Sequence, residues 1–201
     1  MREKLTAAYQ SLGTAARLML IFTLLLGVIY PLSITAVGQL LFPEKANGSL
    51  LRDDTGQVVG SSLIGRSYTD AAGDPLPQYF QSRYSAHNYD ALDSGGSNLG
   101  PENPELIEQL SARKEEVARF NHVSPAQVPA DAVTASGSGL DPQISVANAQ
   151  MQTSRVAAAR GLEPQLVRQL IREHTSGKTL GFVGEERVNV VTLNLALDEL
   201  D

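Results

Sequence analysis

A chain of 201 residues has room for one membrane anchor and one domain with a real core, which excludes two independent soluble domains. From Glu44 onward 21 acidic residues stand against 13 basic ones, a net charge of −8, which argues against nucleic acid or anionic lipid as a partner. No cysteine is present, so disulfides and thiolate metal sites are excluded.

No residue from Leu18 to Pro43 is charged, and Leu18 to Val37 alone supplies the roughly 20 mostly apolar residues that cross a hydrocarbon core as a helix. Residues 1–17 are read as a cytoplasmic N-terminus, 18–42 as a transmembrane helix with its exit segment, and 43–201 as an extracytoplasmic domain. A cleaved signal peptide shares the basic start and the small residues Ala36 and Gly38. Its apolar run, however, is roughly 7 to 15 residues, and this one continues through Leu40, Leu41 and Phe42. Arg2, Lys4 and Arg17 against Glu3 before the run, and Glu44 and Lys45 after it, set the N-terminus inside the cell and the domain outside. Pro31 is expected to kink the helix or end its straight part. With Tyr30, Thr35, Gly38 and Gln39 it gives the outer half of the helix small and polar groups suited to partner helices. The alternative is that these residues lie in the headgroup region, where polarity costs little.

Beyond the anchor, Gly48–Arg52 and Gln57–Leu63 flank a polar Asp53-Asp54-Thr55-Gly56 turn and read as a hairpin. Arg66 to Pro101 is loop-rich, pinned to a core by Tyr79, Phe80, Tyr84 and Tyr89. Asn103 and Pro104 open a helix to about Asn121 whose inner stripe is Leu106, Ile107, Leu110, Val117 and Phe120. A second helix starts near Ser145, carries Ala147, Met151, Ser154 and Ala158 along one face, and stops at Gly161. A third runs from Pro164 to near Gly177 with Leu166, Leu170 and Ile171 inward and His174 in its last turn. Val188–Leu197, rich in β-branched residues, reads as an interior strand. The class is therefore α/β or α+β, with a small sheet and about three helices behind one transmembrane helix.

Catalytic signals are sparse. His87, His122 and His174 share no metal-ligand spacing. Ser136 and Ser138 lack the flanking glycines of a nucleophile elbow. Asp54-Thr55-Gly56 lacks the rest of an aspartyl-phosphate loop, and no phosphate-cradling P-loop occurs. Two small, polar segments stand out instead: Ser94-Gly95-Gly96-Ser97-Asn98-Leu99-Gly100-Pro101 and Thr134-Ala135-Ser136-Gly137-Ser138-Gly139-Leu140-Asp141-Pro142. They are read either as anion nests or as tight loops packing on each other or on a partner, with Asn98, Ser136, Gly137, Ser138 and Gly139 as contact candidates.

Tyr30-Pro31-Leu32 with Thr35 and Gln39, Leu41-Phe42-Pro43 and Ala46-Asn47-Gly48-Ser49-Leu50 resemble the segment after the anchor in the C chain of the potassium-importing Kdp P-type ATPase. Ser94–Pro101, Val133–Pro142, Arg155-Val156-Ala157, Leu180-Gly181-Phe182 and Arg187–Val190 resemble that family's later blocks in the same order. Tyr84, Gln143 and Glu186 depart from the proline, histidine and proline usual there. The resemblance implies a non-catalytic accessory subunit in the inner membrane. Its partners would be a pore-forming A chain, an ATP-hydrolysing B chain and a very small F chain; potassium is the transported ion. The resemblance also implies a catalytic-chaperone role that raises the ATP affinity of the B chain, through nucleotide contact at Ser94, Gly95, Gly96 and Ser97. The charge bias opposes this, since an outer domain cannot reach cytoplasmic ATP, and favours support of the pore entrance. No firmly bound cofactor and no metal are expected. The rival readings are a free-standing anchored hydrolase, which would need a nucleophile, base and orienter together, and an extracytoplasmic ligand-binding module.

Overall fold

The computed structural model describes residues 2–53 and 55–200, residues 2–8 and Gln10 as backbone only. It forms two compact units, Met1–Ser49 and Leu50–Asp201. Asp54 of the expected hairpin turn, and the side chains of Arg2, Glu3 and Lys4, lie outside the described residues.

In the first unit, α1 (Arg2–Leu24) passes through one wide helical turn, Leu25–Ile29, into α2 (Tyr30–Leu41). Ser11–Leu41 is long and apolar enough to cross a membrane, and none of it is buried within the chain. Pro31 does not end the helix. The Tyr30 N–H reaches back to the Leu25 carbonyl, and a widened turn of this kind lets a helix continue past a residue that has no N–H to give. After Phe42, the short α3 (Pro43–Ala46) folds back so that the Gln39 and Asn47 amides clasp reciprocally at 3.1 and 3.2 Å.

In the second unit, β1 (Leu50–Arg52) and β2 (Val58–Ser61) make an antiparallel hairpin. Asp53 Oδ1 accepts from Thr55 and Gln57 N–H across its turn. Then come α4 (Pro104–Asn121), β3 (Gln143–Ser145), α5 (Val146–Arg160), α6 (Pro164–Glu173), β4 (Thr175–Ser176), β5 (Arg187–Asn189) and α7 (Val190–Asp198). The strands form an antiparallel sheet in the order β3-β5-β4, so the class is α+β. Asn103 caps α4 by accepting from Glu105 N–H, Ser145 caps α5 by accepting from Asn148 N–H, and Gly161 ends α5 at φ +66°.

The largest correction falls on Val188–Leu197. Only Arg187–Asn189 is strand; Val190–Asp198 is helix. Asn189 Oδ1 accepts from both Val191 and Thr192 N–H. The buried residues Val190, Leu193, Asn194 and Leu197 then fall at helical spacing, so a capped helix face overrides β-propensity. The third helix also ends early: α6 stops at Glu173, His174 caps it with its N–H on the Leu170 carbonyl, and Thr175–Ser176 joins the sheet. On α5 the face of Ala147, Ser154 and Ala158 is the exposed one. On α4 and α6, Ile107 and Leu166 likewise face out.

The main core gathers Phe80, Ile144, Val156, Val167, Ile171, Val188, Leu193 and Leu197; a smaller one under α4 gathers Ala118, Val128 and Val133. The buried face of α5 is half polar. Arg155, 5% exposed, donates to Asn121 Oδ1, Gln152 Oε1 and the Pro77 and Tyr79 carbonyls, and lies over the Phe120 ring. Gln152 donates to the Gln81 carbonyl and accepts from the Gln81 N–H, while Asn194 does the same for Phe80. These side chains supply the hydrogen bonds that a strand would have supplied to residues 77–81, which explains how a loop without regular structure is held in a core.

Candidate functional site: two interlocked glycine loops

Residues 94–97 and 136–139 come together in the second unit. The Gly95 N–H and the Ser94 hydroxyl both donate to the Ser138 carbonyl at 2.9 Å, and Ser138 Oγ accepts from Leu140 N–H. Gly139 sits at φ +69°, and a Cβ there would stand 2.7 Å from the Gly95 carbonyl oxygen. A Cβ on Gly96 would stand 3.3 Å from the Gly137 carbonyl oxygen. Gly96 and Gly139 thus stand where the two backbones approach too closely for a side chain.

Residues 83–93 brace the pair. Ser85 Oγ donates to the Gly139 carbonyl at 2.8 Å and accepts from the His87 and Tyr89 N–H groups. Arg83 bonds Asp141 at 3.4 Å, Thr134 Oγ1 and the Ala135 carbonyl. Tyr89 donates its hydroxyl to the Arg83 carbonyl at 2.7 Å, and burial pushes its pKa up to about 12, so it remains a donor across the ordinary pH range. His87 Nδ1 meets Asp93 Oδ2 at 2.6 Å, immediately before the first loop. Ser136 is buried, its N–H on the Tyr84 carbonyl and its hydroxyl unpaired among the described residues. Ser97, Asn98, Gly137 and Ser138 keep exposed surface. Sequence reasoning found both loops but missed Ser85, Arg83 and Asp141 as their brace, because contacts across 50 or more positions leave no local pattern.

The candidates on the helix are turned toward their own chain. Thr35 Oγ1 donates to the Pro31 carbonyl at 2.8 Å, Gln39 is clasped by Asn47, and a Cβ on Gly38 would lie 3.8 Å from Ala46 Cβ. Tyr30 and Pro31 are exposed. The histidines are dispersed: His122 caps α4 in the left-handed region, and His174 caps α6. Among the described residues no group of three or more His, Asp or Glu side chains is placed to hold a metal. Of the three departures from the family pattern, Tyr84 lies under the Arg113 guanidinium at 3.4 Å, Gln143 pairs with Asn189 in the sheet, and Glu186 is exposed.

The family model of the K+-transporting ATPase c chain, KdpC, matches residues 12–199. A protein of Mycobacterium tuberculosis strain H37Rv named "Potassium-transporting ATPase KdpC subunit" is 49% identical over 190 residues, covering 92% of this chain and 96% of its own. Proteins of the same name from Methylococcus capsulatus and Herpetosiphon aurantiacus are each 48% identical, over 189 and 184 residues; the coverage is 92% and 90% of this chain, and 96% and 92% of theirs. With one apolar helix able to span a bilayer and a family match that takes in both units, this membrane-anchored chain belongs to the KdpC family, the c chains of K+-transporting ATPases.

Proposed function

We propose that the chain is a non-catalytic accessory subunit that stabilises an ATP-driven potassium pump from the outer face of the membrane. In this reading it contacts the pore-forming A, ATP-hydrolysing B and small F subunits and steadies the pore entrance. The carrying observation is the use made of Ser94 and Gly95. The Gly95 N–H and the Ser94 hydroxyl are both spent on Ser138, and Gly95 and Gly139 are in backbone contact. A phosphate would have to displace these bonds to enter, so the turn works as a lock between two loops. The ATP affinity of the B subunit is then raised through assembly and not by contact with nucleotide. The chain itself needs no cofactor.

Two further observations support the outer, partner-bound reading. The basic residues Arg2, Lys4 and Arg17 precede the apolar helix, which favours a cytoplasmic N-terminus. The turn closed by the Thr179–Val183 hydrogen bonds presents Leu180, 81% exposed, and Phe182, 75% exposed, away from the core, as a surface that binds another protein does. The test is co-purification of the tagged chain with the pump subunits in mild detergent. A and B subunits are expected with it, and potassium-stimulated ATPase activity is expected to fall when the chain is omitted. Micromolar ATP binding by the purified chain, abolished by Gly96→Val, would overturn the lock and restore direct nucleotide contact.

A further inference from the structure

The second unit holds a cavity of about 270 Å³ between residues 66–89, the inner face of α4 and the start of α5. It falls just below the roughly 300–1,000 Å³ of drug-sized ligand sites, which suits a small occupant. One wall is apolar, made of Pro75, Val117, Phe120 and Met151. The floor is made of the Asn121, Asn148 and Gln152 amides, each buried and each already hydrogen-bonded to protein groups. What remains to meet a ligand is the charged rim.

The charge balance of that rim is reversed. From Glu44 onward acids outnumber bases 21 to 13, yet the cavity is lined by Arg66, Arg83 and Arg113 against Glu116 alone. Arg83 is paired with Asp141 at 3.4 Å. Arg66 and Arg113 have no carboxylate within ion-pair distance among the described residues; Arg66 is exposed and Arg113 half-buried. Arg66 lies over the Tyr68 ring at 4.6 Å and Arg113 over the Tyr84 ring at 3.4 Å. Arg113 is fixed further by its bonds to the Val133 carbonyl and Gln109 Oε1. A guanidinium held over an aromatic ring still donates in its own plane, and each terminal nitrogen of Arg113 has a second N–H besides the one it gives to Val133 or Gln109. Behind the floor stands Arg155, whose partners Asn121 Oδ1, Gln152 Oε1 and two backbone carbonyls are all uncharged. Of the negative groups nearby, Asp141 and Asp131 are engaged by Arg83 and by Ser145 and Asn148 respectively, and Glu116 is exposed on α4.

We propose that this cavity is a carboxylate-binding site, formed by Arg66 and Arg113 for the anionic group and by Val117, Phe120 and Met151 for a short apolar stem. The carboxylate comes either from a small free acid or from an acidic side chain of another polypeptide. A free acid would make the site a ligand sensor on the pump; a side chain would make it a socket for assembly. The site does not depend on the accessory-subunit reading, because the first arm of the test needs no partner.

In the first arm, the purified full chain in detergent is unfolded thermally with increasing succinate, against sodium chloride at equal ionic strength and against succinamide. A midpoint that rises with succinate only, and an affinity reduced at least tenfold by Arg113→Gln and by Arg66→Gln, is expected for a free acid. In the second arm the two variants are co-expressed with the pump subunits. A co-purification yield reduced at least threefold at unchanged thermal midpoint, with the wild type indifferent to succinate, assigns the carboxylate to a partner. Arg113 belongs to α4 and Arg66 to the loop-rich segment before it, so a folding defect in one variant leaves the other informative. Undiminished yields together with no succinate response, or with one matched by chloride or undiminished in both variants, overturn the proposal.

Discussion

Gly139 and Gly137 stand two positions apart in the same loop and differ in what a methyl group would meet. At Gly139 the backbone is left-handed and the new Cβ would press on the Gly95 carbonyl oxygen; at Gly137 nothing lies within 4 Å. Gly139→Ala is therefore expected to destabilise the second unit by about 1–3 kcal/mol, and Gly137→Ala by less than about 0.5 kcal/mol. Urea unfolding of the two variants checks this, and equal losses would mean the loops do not lock. Tyr89 carries a second residue-scale expectation. Its folded pKa, about 12, lies above the ordinary value of 10.0, so between these pH values the unfolded chain binds fewer protons than the folded one and stability falls as pH rises. Arg155 opposes it in part: burial lowers its pKa to about 10, and the cost of keeping it charged is relieved over the same range. Comparison with Tyr89→Phe isolates the tyrosine. The variant should be about 1 kcal/mol less stable at pH 7, through loss of the bond to the Arg83 carbonyl, and the gap should close and then reverse between pH 10 and 12. A gap that stays constant with pH would show that Tyr89 ionises as freely as in the unfolded chain.

The elements readable from sequence were those whose signals are local. Asn103-Pro104, Ser145 and Gly161 mark helix ends through caps that need only neighbouring residues, and the structure uses each of them. The apolar N-terminal run was readable for the same reason. Val190–Asp198 was not, because Val, Val, Thr and Leu favour a strand in isolation. What decides for a helix is the Asn189 side chain together with a core that accepts Val190, Leu193 and Leu197 on one face. The polar side of α5 was equally hidden: no hydrophobic period selects Asn148, Gln152 and Arg155 as buried, since Gln152 and Arg155 bond backbone groups some 70 residues away and Asn148 bonds Asp131 in a preceding loop. The glycine loops were visible as composition, and their packing on each other was one of the readings that composition offered; which backbone groups meet was not visible. Asn189 gives this scale its test. Its side chain accepts two N–H bonds at the start of α7 and donates to the Ser62 carbonyl. Asn189→Ala is expected to cost about 1–2 kcal/mol, and Asn189→Asp, which keeps the acceptor, clearly less. Chemical unfolding followed by far-UV circular dichroism distinguishes them; equal losses would place the value of Asn189 in the Ser62 bond instead of the cap.

At the scale of the whole molecule the division of labour follows from where the apolar surface goes. In Leu50–Asp201 it is gathered inside, around Phe80, Ile171 and Leu193, with a buried polar layer that completes the hydrogen bonding of residues 77–81. In Met1–Ser49 no described residue of the apolar stretch Ser11–Leu41 is buried, so its stability must come from lipid or from other helices. A domain whose core, among the described residues, draws on none of the anchor should fold without it. Residues 50–201 expressed alone are therefore expected to unfold cooperatively, with a midpoint within about 3 °C of the full chain in detergent, since a difference of 1 kcal/mol moves a domain of this size by roughly 2–4 °C. A molten product, or a midpoint lower by 10 °C or more, would show that the anchor supplies part of the fold. The same fragment separates the two units in assembly: if it still co-purifies with the pump subunits, the second unit carries the contact, and Leu180→Ser/Phe182→Ser in the fragment tests whether the exposed turn is its seat. If it folds but binds none of them, the helix is the element that holds the complex, and the double variant Leu180→Ser/Phe182→Ser in the full chain should then leave the yield unchanged.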